Sequence, residues 1–168
     1  MTVWVDHIYP QIPNAEFHLF CGAATYGAVG DRKAAEMAPI LTRAQKLSAN
    51  GVVLHDPLPK EKLINQINQS RVFLYRGDKG ETFCLAAAEA QALGLPGVTE
   101  DIGCMSERIR DRQTGFIVRG EQPFADAAIQ LLKNDTLWQT QHRYSLATQN
   151  KFTWNEAAKA FEELSVQS

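Results

Sequence analysis

The chain lacks the marks of a secreted, membrane-spanning or nucleic-acid-binding protein. It has three cysteines, Cys21, Cys84 and Cys104, an odd number without C-x-x-C spacing. That excludes a disulfide framework and a thiolate zinc site, and suits reduced thiols in a cytoplasm. Charge of one sign is also missing. Seventeen Lys and Arg stand against nineteen Asp and Glu, for a formal net charge of -2. Such a balance leaves no electrostatic footprint for nucleic acid or an anionic membrane. No apolar run approaches the ~20 residues of a membrane span. No basic region followed by an apolar segment opens the chain, so a cytoplasmic location without a signal peptide is expected. The His, Asp and Glu residues show no metal-ligand clustering, and no metal ion is expected. Two phosphate fingerprints fail as well. Gly22 and Gly27 are spaced as in a P-loop, but Ala28 and Val29 follow them where Lys and Ser or Thr are required. The same segment does not read G-x-G-x-x-G. It reads as a loop between a strand and a helix.

What is present is ordinary in amount and ordered in pattern. The 168 residues, 45% hydrophobic and 21% charged, suit one soluble domain spanning 1–168. Short apolar runs at 16–21, 52–55, 72–75, 97–99 and 116–118 predict strands. Helical periodicity predicts helices over 33–48, 60–69, 83–93, 105–110, 123–133, 136–150 and 155–164. Strands alternating with helices argue an α/β fold of Rossmann-like type. The expected architecture is a doubly wound parallel sheet of about five strands between two helical layers. Pro59 sits at a helix start and Gly94 just past a helix end. Thr153 and Glu156 have the spacing of a capping box.

The densest information lies between Glu81 and Pro96. Glu81 falls in a loop after the strand ending at Tyr75, and Glu89 falls eight residues later in an Ala-rich helix starting near Phe83. A strand, a loop and a helix N-terminus form a natural anion site, because free N–H groups and the helix dipole converge there. Thr82, Phe83, Cys84 and Leu85 are the residues expected to supply those N–H groups. A carboxylate on each side suits a ligand with both phosphates and hydroxyls, as in a nucleotide sugar.

Together with Ala90, Ala92, Gly94 and Pro96, then Gly103 and Glu107, then the run from Thr114 to Val118, this Glu81-x7-Glu89 pattern resembles a known domain. It is similar to the C-terminal, donor-binding domain of the retaining glycosyltransferases of family 4 (group 1), which have the GT-B fold. The stretch from Ile12 to Leu19, the strand from Gly51 to His55, and Phe152 to Trp154 followed by Ala157 and Ala158 resemble further landmarks of that family. The resemblance covers nearly the whole chain.

The resemblance implies roles. Glu81 would contact the donor sugar near the reacting carbon, and Glu89 would accept hydrogen bonds from ribose hydroxyls. The segment with His55, Leu58 and Pro59 would line the nucleobase. Many family members carry Gly where this chain has Cys84. The family's domain opens with a central strand and a loop bearing an Arg and a Lys for the diphosphate, and an acceptor-binding domain precedes it. Met1 to Val5 align best with the helix after that loop, so strand, basic pair and acceptor domain are expected to lie outside this chain. Arg76 and Lys79, before Glu81, are candidates to replace the basic pair; Arg76 can make a bidentate contact. The family needs no metal, and no cofactor is expected.

Each candidate has a plainer alternative. Glu81 and Glu89 can be solvated carboxylates, His55 a loop histidine, and Arg76 a solvated cation. Cys84 reads best as a small buried apolar residue, and no His pairs with it in a nucleophile motif. The expected function is donor binding for retaining transfer from a UDP- or GDP-sugar to an acceptor. The alternative is a non-catalytic nucleotide-sugar-binding or interaction module, or one half of a split enzyme. The expected partners are the nucleotide sugar and an acceptor-binding domain or partner chain; nucleic acid and a direct membrane span are not expected.

Overall fold

The computed structural model describes residues 1–20, 30–149 and 153–166. Cys21, the loop from Gly22 to Val29 and Phe152 lie outside the described residues. The chain divides into two compact units, Met1–Gln66 and Ile67–Ser168.

The first unit opens with a wide helical turn, Trp4–Ile8, and a tighter one, Tyr9–Gln11. Then come β1 (Phe17–Phe20), α1 (Gly30–Lys46), a short turn of helix at Ser48–Asn50 and β2 (Val52–His55). Strand β1 pairs with β2 in parallel, Phe17 opposite Val52 and Phe20 opposite His55. The core here is a small apolar set, Val3, Trp4, Ile8, Ala44 and Val52. Trp4 is its anchor. Its ring stacks on Phe17 at 5.2 Å between centroids, and its indole N–H donates to Asn50 O at 2.8 Å. A buried tryptophan thereby keeps its one polar atom satisfied. Helix α2 (Lys60–Asn68) follows, its first turn accepted by Pro59 O from the Leu63 N–H at 3.0 Å.

The second unit carries β3 (Phe73–Tyr75), α3 (Leu85–Ala92), β4 (Gly97–Glu100), α4 (Met105–Arg108) and β5 (Gly115–Val118). It continues with α5 (Glu121–Lys133), α6 (Asp135–Gln149) and α7 (Trp154–Val166). Its sheet is parallel, in the order β3-β4-β5. The central strand is the buried one: Gly97, Val98 and Thr99 are all buried, whereas the residues of β3 are half-exposed. Two glycines let β4 and β5 approach. A β-carbon on Gly115, at φ +156, would fall inside the carbonyl of Gly97, so no larger residue fits there.

Helix α3 is fixed at both ends. At its C-terminus Leu95 N–H donates to Ala90 O at 2.9 Å and Gly94 N–H to Gln91 O at 2.9 Å, the Schellman pattern expected from Gly94. The fully buried Gln91 donates to Leu95 O at 2.7 Å and to Thr114 O at 3.0 Å. This ties α3 to the lead-in of β5 and satisfies a polar group that would be costly to bury unpaired. The capping box also forms, with Thr153 N–H to Glu156 Oε2 at 2.9 Å and Glu156 N–H to Thr153 Oγ1 at 3.3 Å.

The five strands and the parallel α/β character of a Rossmann-like fold are as expected. The strands form two ladders of two and three, however, and among the described residues no strand joins them.

Candidate functional site

The carboxyl end of β3 leads into the loop that carries Glu81. Asp78 shapes that loop: its Oδ1 accepts the Gly80 N–H at 2.8 Å, and its carbonyl accepts the Glu81 N–H at 3.3 Å. The Tyr75 hydroxyl, at the strand end, accepts the Asp78 N–H at 3.3 Å and donates to Glu81 Oε2 at 3.4 Å. From the other side Cys104 N–H donates to Glu81 O at 3.0 Å. Close approach there depends on Gly103, where a β-carbon would lie 2.5 Å from that same oxygen.

Three consecutive N–H groups converge at the start of α3. Thr82, Phe83 and Cys84 donate to Glu81 Oε1 at 3.1, 3.2 and 2.9 Å. These N–H groups, expected to be unpaired, are therefore held by the carboxylate of the preceding residue. The turn through Thr82 and Phe83 aims the successive N–H groups at one point, and Cys84, the last of the three donors, takes the left-handed region at φ 55, ψ 73 as the chain enters α3. The bonds from Cys84 and Phe83 hold the Glu81 carboxyl below the usual carboxylate range; desolvation opposes them, and Thr82 and Tyr75 add to the lowering. A left-handed residue is where glycine fits best, so the cysteine here is held in a conformation that its β-carbon disfavours.

Cys84 is buried with Ala87, Cys104, Met105 and Ile109. Burial, and after it the charge of Glu81, push its thiol up, and the same two causes act on Cys104. Both are neutral packing groups. Phe83 and Leu85 stand exposed at the rim, with the Arg108 guanidinium 4.3 Å over the Phe83 ring. Glu89 is half-buried and lies on α3, one turn beyond Leu85.

Arg76 is engaged elsewhere. Its Nε donates to Glu100 Oε1 at 2.9 Å and its Nη1 to Glu121 Oε1 at 3.1 Å, while the guanidinium lies 5.7 Å from the Phe124 ring centre. Desolvation disfavours the charge, but the bonds to Glu121 and Glu100 outweigh it.

In the first unit His55 belongs to a side-chain relay. His18 Nε2 lies 3.0 Å from Glu16 Oε2, and His18 Nδ1 lies 2.8 Å from His55 Nε2. The Phe20 ring stacks on His55 at 4.5 Å. Desolvation and then the neighbouring His18 hold the His55 imidazole below its ordinary range, with Glu16 acting the other way. Leu58 is half-buried and Pro59 exposed, between β2 and α2. Sequence reasoning missed Tyr75, Gly103 and Cys104 as supports of Glu81. It also missed the Glu16–His18 partnership, although Glu16, His18 and Phe20 share one strand face by their period of two.

The chain matches the family Glycosyl transferases group 1 over residues 19–151. It is 34% identical over 126 residues to a D-inositol 3-phosphate glycosyltransferase of Corynebacterium diphtheriae, covering 74% of this chain and 29% of the relative. With the Corynebacterium urealyticum protein of the same name it shares 30% identity over 159 residues, 93% of this chain and 36% of the relative. The chain thus spans about a third of the length of these relatives. Among solved structures, sucrose-phosphate synthase from Thermosynechococcus elongatus superposes with a TM-score of 0.75 at 20% identity, over 94% of this chain and 40% of the other. The pneumococcal O-GlcNAc transferase GtfA, solved in complex with UDP and GlcNAc, gives 0.68 at 19% identity, over 99% and 32%. At such identities the superpositions bear on the fold alone.

Proposed function

The chain belongs to the group 1 glycosyl transferases, and we propose that residues 1–168 act within them as the C-terminal domain that holds a nucleotide-diphospho-sugar donor for retaining transfer. The observation that carries this reading is the convergence of three N–H groups on one oxygen at the α3 start, with Glu81 before it and Glu89 beyond it. N–H groups so placed can take a phosphate oxygen. In this reading Glu81 orients the sugar beside the reacting carbon and balances positive charge as an oxocarbenium-like centre develops. Glu89 accepts two ribose hydroxyls at once. The reading uses no metal ion and no further cofactor, and it puts the protein in the cytoplasm. An acceptor-binding domain, in the same or a partner chain, encloses the reaction and excludes water. The 168-residue chain alone then binds donor weakly and transfers little.

The engagement of Arg76 by Glu100 and Glu121 favours a second reading, a binding or interaction module without turnover. Calorimetric titration of UDP, GDP and ADP into wild type and Glu89→Ala tests the first reading. One nucleotide should bind and lose about tenfold in affinity in the variant, as expected for lost charged hydrogen bonds. Absence of binding by all three would leave the interaction module.

A further inference from the structure

We infer that the Glu81 carboxylate is an internal competitor for the anion position at the start of α3, held there until a ligand phosphate displaces it. The inference rests on the donor-binding reading and concerns the regulation of that site. Oε1 of Glu81 takes the N–H groups of Thr82, Phe83 and Cys84, the same donors that a phosphate oxygen needs. A charged acceptor on three N–H groups is a strong self-ligand.

The backbone carrying these donors is held without the carboxylate. Cys104 N–H fixes Glu81 O at 3.0 Å, Asp78 O takes the Glu81 N–H at 3.3 Å, and Cys84 is locked in the cluster with Ala87, Met105 and Ile109. Rotation about the Glu81 side chain therefore empties the anion position while the N–H groups stay where they are. The freed carboxylate is then available to hydroxyls of the same ligand, so arrival of the phosphate and delivery of the carboxylate are one event. Until then the occupied fraction lowers the apparent affinity for any anion.

The test is titration of inorganic pyrophosphate into the full chain, as wild type, Glu81→Gln and Glu81→Ala. Asp101→Asn removes an equal charge from an exposed carboxylate paired with Arg119 and serves as control. Glu81→Ala should tighten pyrophosphate about tenfold, and Glu81→Gln less, because its amide oxygen remains a neutral, weaker acceptor. Asp101→Asn should stay within about twofold of wild type. Far-UV circular dichroism checks folding, and if the alanine variant does not fold, the glutamine variant carries the comparison. Wild-type binding that is equalled or weakened in the folded Glu81 variants overturns the competitor role and leaves the donor reading standing. An equal gain in Asp101→Asn also overturns it, since charge alone then suffices. If neither wild type nor any variant binds pyrophosphate, UDP, GDP or ADP, the donor reading fails and this inference with it.

Discussion

The two units solve the same problem with different materials. In Met1–Gln66 the functional candidates are tied by side chains: Glu16 to His18, His18 to His55, and rings stacked along one strand face. In Ile67–Ser168 they are tied by backbone: N–H groups on Glu81, Cys104 on the Glu81 carbonyl, and small residues that permit close approach. The contrast extends to the sheets. The two-stranded ladder is half-exposed along most of its length, while β4 is buried between its neighbours. A site made of backbone needs a rigid frame, and the buried ladder with its close glycine contact supplies one. A site made of side chains tolerates a looser frame, because its members hold one another.

The comparison breaks most visibly at Gly115. Glycine-to-alanine there drives a β-carbon into the Gly97 carbonyl, so Gly115→Ala should cost about 4 kcal/mol or more. Urea unfolding reads the loss as a lower midpoint, and hydrogen exchange should show it across β4 and β5. A loss below about 1 kcal/mol would mean that the ladder yields and that the frame is not rigid.

The next effect is in the other unit. Trp4→Ala removes a ring that is almost fully buried and that also bonds Asn50. It should cost about 3–4 kcal/mol, with exchange protection lost in residues 1–66. Equal loss in β3–β5 would show that the two frames unfold together.

The smallest effect is a pH slope. The His55 imidazole titrates below its ordinary value of about 6.5, by burial first and then by His18. Between the two values the unfolded chain binds more protons, so stability rises with pH. The contribution is fully present above about pH 6.5 and is lost as pH falls through the folded-state value. His55→Phe should flatten that part of the profile in thermal melts at stepped pH. An unchanged slope would assign it to other groups.

Much of this molecule follows from local pattern. Every strand lies within a residue or two of its apolar run, because runs bounded by turn residues leave the backbone few choices. Helix ends at Gly94 and Thr153 follow from caps that act over three or four residues. Glu81 and Glu89 stand out as candidates only within the ordered set of landmarks that resembles the family, since a lone E-x7-E spacing is common.

The partners of these residues are another matter. That Arg76 spends its charge on Glu100 and Glu121, 24 and 45 positions away, depends on where β4 ends and α5 begins. That Glu81 Oε1 sits on the N–H groups of Thr82, Phe83 and Cys84 depends on how the chain turns through these residues, and on Cys104 and Gly103 closing behind Glu81. Why five parallel strands divide into two ladders is likewise invisible in hydrophobic period, which specifies a strand but not its neighbour. The sequence by itself determined the elements and their caps, since these rest on short-range torsional and burial preferences. Only the tertiary structure decided which charges meet and which N–H groups are occupied, since those are set by through-space distances that no local spacing encodes.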